Sequence, residues 1–324
     1  MLTLPILKSQ QTKRSLNGVL LLDKPPEISS NRALQIAKKI YVAEKAGHTG
    51  TLDPMATGLL PICFGEATKF SSALLGADKT YEATLKLGYI STTGDANGSI
   101  SVAGNVELTL VQIESILQSL IGKMTQIPPM YSALKHQGKP LYTYARKGIV
   151  IERRPREINI YGLRVVSFEK NIMHITVKCS TGTYVRTLAE DIGKMLGCGG
   201  AYLTALRRSA IDNLMLLQAH TLDALDAMSP LQRDACLRPT DSLLHNFPAV
   251  ILDNTAVLRL LRGQMVVTPL SSDNLIVQEK IRLYDSEKHF LGLGEMTAQR
   301  TIIPKRLIAQ AAKENILATF NCYS

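Results

Sequence analysis

The alternation of apolar and polar residues divides the chain into short segments with no long uninterrupted helix. GVLLLD (18–23) is an apolar run of strand length and is read as a buried strand. Ser29 or Ser30 is placed to cap a helix through ALQIAKKI, with Leu34, Ile36, Ala37 and Ile40 near one face. Residues 46–57 are rich in Gly, Thr, Asp and Pro and predict a structured loop. TYEATLKLGY (80–89) alternates as a strand does, and TTGDANGS (92–99) is turn-rich. TLVQIESILQSLIG (109–122) has helical apolar spacing at Val111, Ile113, Ile116, Leu117, Leu120 and Ile121, with Gly122 as a stop.

INIYGLRVVSFEK (158–170) and MHITVKCS (173–180) predict a hairpin turning at Lys170 and Asn171. TLAEDIGKML after TGTYVR (181–186) predicts a helix, and AYLTALRRSAI another strand. There is no regular βαβ repeat and no GxGxxG, which disfavours a dinucleotide fold. A looser stretch, 221–246, carries Pro230 and Pro239 and marks a boundary. Beyond it, DNTAVLRLLRGQ reads as a helix, IRLYD and HFLGLGEM as strands joined by the turn SEK. Residues 1–15 are expected to form a flexible basic tail.

Charge changes this picture. The 324 residues carry a formal net charge of +10, which favours a polyanionic partner. Trp is absent, so any stacking on bases falls to Tyr, Phe, His or Arg. The five cysteines (Cys63, Cys179, Cys198, Cys236, Cys322) are odd in number, widely spaced and form no CxxC. That argues against zinc or disulfides and for reduced thiols in a cytoplasm. The N-terminus lacks the apolar core of a signal peptide, and no apolar run of about 18 residues is present to span a membrane. No metal or nucleotide-cofactor motif is found, so neither cofactor nor metal is expected.

The densest cluster of chemistry is Gly47-His48-Thr49-Gly50-Thr51-Leu52-Asp53-Pro54. Two glycines, two threonines and a proline mould an irregular backbone that holds one side chain, Asp53, in a fixed pose. Asp-Pro is also a common turn pair, so residue types alone equally allow a structural Asx turn.

The longer stretch GHTGTLDPMATGLLPICFGEATKF (47–70) resembles motif II of the pseudouridine synthases, and specifically the tRNA pseudouridine 55 synthase family, TruB. Further segments carry the same resemblance. Asp23-Lys24-Pro25 is similar to the family's DKPxGxTS opening, with Glu27 in place of the motif glycine, which leaves the local turn open to change. Lys79-Thr80-Tyr81, the IPPMYSALK run (127–135), CSTGTYVRTL (179–188) and Leu206-Arg207-Arg208 match the remaining motifs, so the likeness spans about residues 17–215.

The resemblance implies an isomerase that converts uridine 55 of the tRNA T loop to pseudouridine after flipping it out, with no cofactor. It implies a mixed α/β (α+β) catalytic domain over 16–246, built on a largely antiparallel sheet, with an RNA-binding insertion at about 124–157. Residues 247–324 would form a small PUA-like β-barrel that touches RNA. Asp53 would be the catalytic nucleophile, attacking sugar or base, or would take a sugar proton after bond cleavage. Arg186 would keep Asp53 ionised, because burial alone neutralises a carboxylate. Tyr81 would stack on the base, Leu206 would wall the pocket, and Lys24 and Tyr184 would contact substrate. His48 would brace the stack left by the flipped base, since stacking on bases is a recurrent use of histidine; the alternative is a histidine hydrogen-bonded within its loop.

Independently of any family, residues 133–157 hold seven Lys or Arg against two Glu, with Tyr142 and Tyr144 interleaved. Lys135, Lys139, Arg146, Arg153 and Arg154 are therefore the expected phosphate contacts, on an arm that closes over RNA. The expected partner is the tRNA T stem-loop, bound by a monomer without guide RNA or membrane. Two rivals share the charge: an RNA-binding protein without chemistry, which needs neither Asp53 nor Arg186, and a guide-dependent synthase acting with partner proteins.

Overall fold

The computed structural model describes residues 12–267 and 280–308. Strands β1 (Gly18–Lys24), β2 (Ala46–His48), β3 (Thr57–Phe64) and β4 (Lys79–Leu87) come first, with helix α1 (Ser30–Ile40) after β1. The ribbon β5 (Tyr89–Ser91) and β6 (Ile100–Val102) carries the 92–99 loop, and helix α2 (Leu110–Ser119) leads into β7 (Gly122–Gln126). The basic arm holds only β8 (Lys135–His136), β9 (Lys139–Pro140) and the short helix α3 (Leu141–Ala145). The hairpin β10 (Arg156–Glu169) and β11 (Ile172–Cys179) follows, then α4 (Val185–Met195), β12 (Ala201–Ile211), β13 (Leu214–Met215) and β14 (His220–Thr221).

These strands form one sheet in the order β14-β1-β3-β12-β4-β11-β10-β7, with β2 added to β3 and β13 to β12. Only β1–β14 and β3–β12 run parallel; the sheet is otherwise antiparallel, as expected. Its middle follows from alternation: Tyr81, Ala83, Leu85 and Leu87 of β4 are buried while Glu82, Thr84 and Lys86 are not. The β10–β11 hairpin turns at Lys170 in a left-handed conformation, φ 57°. Helix α1 is capped by Ser29, whose Oγ accepts from Arg32 N at 3.1 Å, and α1 buries Ala33, Leu34 and Ala37.

Two segments depart from the sequence reading. Helix α2 stops at Ser119, and Gly122 (φ 117°) opens β7 instead of merely ending the helix, leaving Val111 75% exposed. Strand β3, with Pro61 inside it, was not expected. It is tolerated because β12 pairs only residues 57–58 and β2 only 62–64, so the missing N–H of Pro61 falls between partners. The Pro61 carbonyl accepts from Thr49 N at 3.2 Å.

Residues 221–246 hold two short helices, α5 (Leu222–Ala227) and α6 (Pro230–Ala235). After them come β15 (Ala249–Ile251), α7 (Asn254–Leu261), β16 (Val266–Val267), β17 (Lys280–Tyr284), β18 (Phe290–Met296) and β19 (Thr301–Leu307). These strands make a second sheet, β15-β17-β18-β19-β16, around Val250, Val257, Leu260, Ile281, Leu283 and Ile302. It packs on the preceding part of the chain through Phe290 against Phe70, centroids 5.4 Å apart, and through Tyr284 Oη donating to Asp241 at 2.6 Å. Residues 1–11 of the expected tail and 309–324 of the expected barrel lie outside the described residues. Arg14 is tied down: it pairs with Asp234, and its N–H bonds Val42 O at 2.8 Å.

Glu27, at the position of the motif glycine, has φ 63°. The turn is thus kept, with a glutamate in a conformation that costs a residue with a Cβ roughly 1–2 kcal/mol. Glu27→Gly recovers that cost but gives the unfolded chain more backbone entropy to lose on folding. It is expected to raise unfolding stability by up to about 1 kcal/mol in urea titrations; a destabilised variant would show that the turn is not left-handed in solution.

Candidate active site

Asp53 lies in the loop between β2 and β3, and the two residues beside it are each clamped. Ser30, buried at the start of α1, accepts from Leu52 N at 2.8 Å and donates to Leu52 O at 3.0 Å. Lys24 is fully buried, and its Nζ donates to the carbonyls of Pro54 (3.2 Å), Pro25 and Ile28 (both 2.8 Å). Its three N–H bonds are used on backbone, and it does not line the pocket beside Asp53. Sequence reasoning gave Lys24 to substrate; the structure makes it a brace for the loop. Burial brings its pKa down to about 8, against the pull of Asp53.

Arg208, also buried, braces β3 and the same loop from β12, donating from Nε to Leu59 O at 2.8 Å and from Nη2 to Gly50 O at 3.5 Å. At Gly58 an added Cβ would lie 2.4 Å from the Arg208 carbonyl, so only glycine lets the two strands meet there.

The Asp53 carboxylate meets Arg186 in the first turn of α4, Nε to Oδ2 at 3.0 Å. The Arg186 side chain is 6% exposed and that of Asp53 36%. The guanidinium also donates to Thr93 O at 3.0 Å and Tyr131 O at 2.7 Å, and Asp95 Oδ2 lies 3.9 Å from its Nε. A cation in the first turn of a helix opposes the macrodipole; here two carboxylates and two carbonyls offset that cost. Asp95, which sequence reading passed over, is 5% exposed, and its other oxygen accepts from Thr93 Oγ1 (2.7 Å) and Asn97 N (3.0 Å). An aspartate amid glycines in a turn-rich loop was its only trace in the sequence.

A cavity of about 190 Å³ opens beside Asp53, walled by Thr51, Tyr81, Ser132, Tyr184, Arg186 and Leu206 among others. That is roughly six water volumes at about 30 Å³ each, space for one nucleobase. Asp53 is the only carboxylate among the lining residues. Tyr81 is buried beside Arg208, and burial pushes its phenol up from 10.0, so it stays protonated at neutral pH. Tyr184 immediately precedes α4 and is likewise raised by burial.

His48 sits on β2 opposite Ile62, outside the lining of this pocket; burial and then Arg208 lower its pKa, and its Nδ1 is buried without a hydrogen-bond partner. On the arm, Lys135, Lys139, Arg146 and Arg154 are exposed, and Arg146 stacks over Tyr142 at 5.4 Å. Arg153 is half-buried and donates to Pro128 O at 3.3 Å, so it is partly engaged within the arm.

A family model described as "TruB family pseudouridylate synthase (N terminal domain)" matches residues 38–185, and two TruB C-terminal models match 186–245 and 248–308. The chain is 60% identical over 306 residues to tRNA pseudouridine synthase B of Nitrosospira multiformis, covering 93% of this chain and 98% of that protein. It is 50% identical to the Neisseria gonorrhoeae protein of the same name, over 89% and 93% of the two chains. Among solved structures, the archaeal box H/ACA Nop10–Cbf5 complex has the same fold at TM-score 0.70 and 20% identity, over 92% of this chain and 88% of that one.

Fold, pocket and motifs therefore define a pseudouridine synthase, an isomerase. Within that class the chain belongs to the TruB family. Among the described residues no helix is long and apolar enough to cross a membrane, and no group of three or more His, Cys, Asp or Glu is placed to hold a metal ion.

Burial is the largest influence on Asp53 and raises its pKa above the ordinary 3.8; Arg186 pulls down, Asp95 pushes up, and Lys24 pulls down. The net direction is upward, so Arg186 offsets the burial cost without reversing it. The folded state then holds the Asp53 proton more tightly than the unfolded chain. Stability falls as pH rises from 3.8 through the raised folded value. At pH 7 the ionised carboxylate is a net cost. Asp53→Asn is expected to melt at the same or a higher temperature than the parent at pH 7, with the gap narrowing below pH 4. A drop of several degrees at pH 7 would contradict this balance.

Proposed function

We propose that the protein isomerises uridine 55 in the T loop of tRNA to pseudouridine, with Asp53 as the catalytic nucleophile acting on a flipped-out nucleotide. The observation that carries the reading is the Asp53–Arg186 contact of 3.0 Å at the wall of a base-sized cavity whose other lining residues include no carboxylate. The curated relatives at 49–60% identity bear the name tRNA pseudouridine synthase B, which supports tRNA as substrate.

The reaction breaks N1–C1′, joins C5 to C1′, moves a proton from C5 and restores one at N1; nothing is oxidised and no group leaves. Glycosidases that hydrolyse such a bond use a pair of carboxylates around a water. A lone pocket carboxylate suits a reaction from which water is shut out. Asp53 supplies the charge and nucleophile, and Tyr81, a protonated phenol against the pocket, stacks on the base. Leu206 and Tyr184 wall the detached uracil so that it turns without escaping. A uridine inside a folded loop reaches this cavity only by leaving its stack, at a cost of a few kcal/mol. His48, held neutral by burial, braces the vacated stack.

The exposed Lys135, Lys139, Arg146 and Arg154, with Arg153 partly engaged, take the phosphates. The units in this reading are a catalytic domain at 16–246, the arm at about 124–157, and a PUA-like RNA-binding module at 247–324. The enzyme acts as a cytoplasmic monomer without guide RNA. The 60% identity to a protein named tRNA pseudouridine synthase B, against 20% to the chain of an archaeal box H/ACA Nop10–Cbf5 complex, favours that over a guided assembly.

Purified protein incubated with a bare T stem-loop RNA should form pseudouridine at the position equivalent to 55. Asp53→Asn should bind the same RNA and form none. Product from Asp53→Asn would remove the assigned role, and activity only with an added guide RNA would favour the ribonucleoprotein reading. A second outcome concerns salt. Each lost phosphate contact lowers the slope of log K against log salt by roughly 0.7–0.9. Replacing Lys135, Lys139, Arg153 and Arg154 by Ala should therefore flatten the slope by about 2–3, given that Arg153 is partly engaged; an unchanged slope would mean that the arm does not face phosphate.

A further inference from the structure

Gln126, at the end of β7, is 2% exposed and belongs to none of the matched motifs. Its carboxamide grips one residue at both main-chain groups: Oε1 accepts from Tyr184 N at 2.8 Å, and Nε2 donates to Tyr184 O at 3.2 Å. Tyr184 is the N-cap position of α4 and offers no side-chain cap of its own. The start of α4 is therefore located by a side chain 58 residues away in sequence. Two residues on is Arg186, and the same segment reaches it again, since the Tyr131 carbonyl accepts from its guanidinium at 2.7 Å. One short stretch, 126–131, thus holds both residues 184 and 186, and it is the stretch that leads into the basic arm.

We propose that Gln126 is a positioning residue that sets the first turn of α4 so that Arg186 meets Asp53, a role that rests on Asp53 being the catalytic carboxylate. A hydrophobic side chain of similar volume would avoid desolvating an amide but would leave Tyr184 N–H without its acceptor. The glutamine both satisfies this backbone and fixes its direction. The site needs an acceptor for an N–H and a donor for a carbonyl, 2.8 and 3.2 Å away, which one carboxamide supplies in one plane. Leucine supplies neither group. Ionised glutamate supplies the acceptor but sets an oxygen against the Tyr184 carbonyl.

When α4 starts out of place, Arg186 leaves Asp53. The groups still facing the carboxylate are then Asp95, which disfavours its charge, Lys24, which favours it, and the neutral phenols of Tyr81 and Tyr184. Burial is left less opposed, and Asp53 ionises at higher pH.

The test compares the parent, Gln126→Leu, Gln126→Glu and Asp53→Asn in single-turnover pseudouridine formation on T stem-loop RNA across pH 5–9, with RNA affinity measured for each. Gln126→Leu should lose about 10–100-fold in rate, as sub-ångström to 1 Å misplacements do, while RNA affinity stays within about twofold, since the phosphate-contacting side chains of Lys135, Lys139, Arg146 and Arg154 are unchanged. The acid limb of its rate profile should move to higher pH. Gln126→Glu should lose rate as well, and decides the matter if the leucine variant does not fold. Parental rates in either folded variant would overturn the proposal. So would a loss of rate with the acid limb unmoved, because that is what a lower folded fraction alone gives. Activity in Asp53→Asn would instead sink the underlying reading of the site, and is told apart by that variant alone.

Discussion

A guanidinium out of water must find charge and acceptors close at hand, and Arg186 finds four. Asp53, Asp95 and the carbonyls of Thr93 and Tyr131 reach it from three separate stretches of chain. Removing Asp95 leaves a buried cation less compensated, which is the expensive way to break such a group. The contact therefore fixes the loop at 47–54, the 92–99 loop and the root of the arm relative to α4. It also sets the state of Asp53, whose charge burial would otherwise suppress. Structure and chemistry draw on the same bond here.

Two other buried cations do related work at one remove. Lys24 and Arg208 spend donors on backbone carbonyls on either side of Asp53, Pro54 after it and Gly50 before it, from β1 and β12. Loops carry few backbone partners of their own, so an irregular loop in a rigid pose needs donors from outside. That accounts for positively charged residues buried against backbone carbonyls. It also fits a loop that carries a buried carboxylate at a net cost to stability, as functional sites commonly do.

Much of this was legible in the sequence, for reasons that differ by element. The strands at 79–87, 172–179 and 201–211 declare themselves by alternation, because one face of each is buried and the other is not. Helix α1 is marked by its serine cap and apolar face. Strand β3 was hidden: a run buried on both faces has no period, and Pro61 argued against a strand until its place between two partial neighbours was known. Asp53 and Arg186 were found through motif resemblance, and their meeting across 133 positions of chain is a tertiary fact. Asp95 and Gln126 act by where they end up, not by what surrounds them in sequence, so no local pattern exposes them. Lys24 was read as a substrate contact because an isolated lysine gives no hint that three carbonyls surround it.

The central claim is that Arg186 holds Asp53 as an anion against the pull of burial. Carboxyl carbon-13 NMR of protein labelled at aspartate reads it directly, by following the Asp53 resonance with pH in the parent and in Arg186→Met, assigned against Asp53→Asn. The account predicts that Asp53 of the parent is ionised at pH 7 and that its titration moves to clearly higher pH without the guanidinium. The same midpoint in both proteins would contradict it.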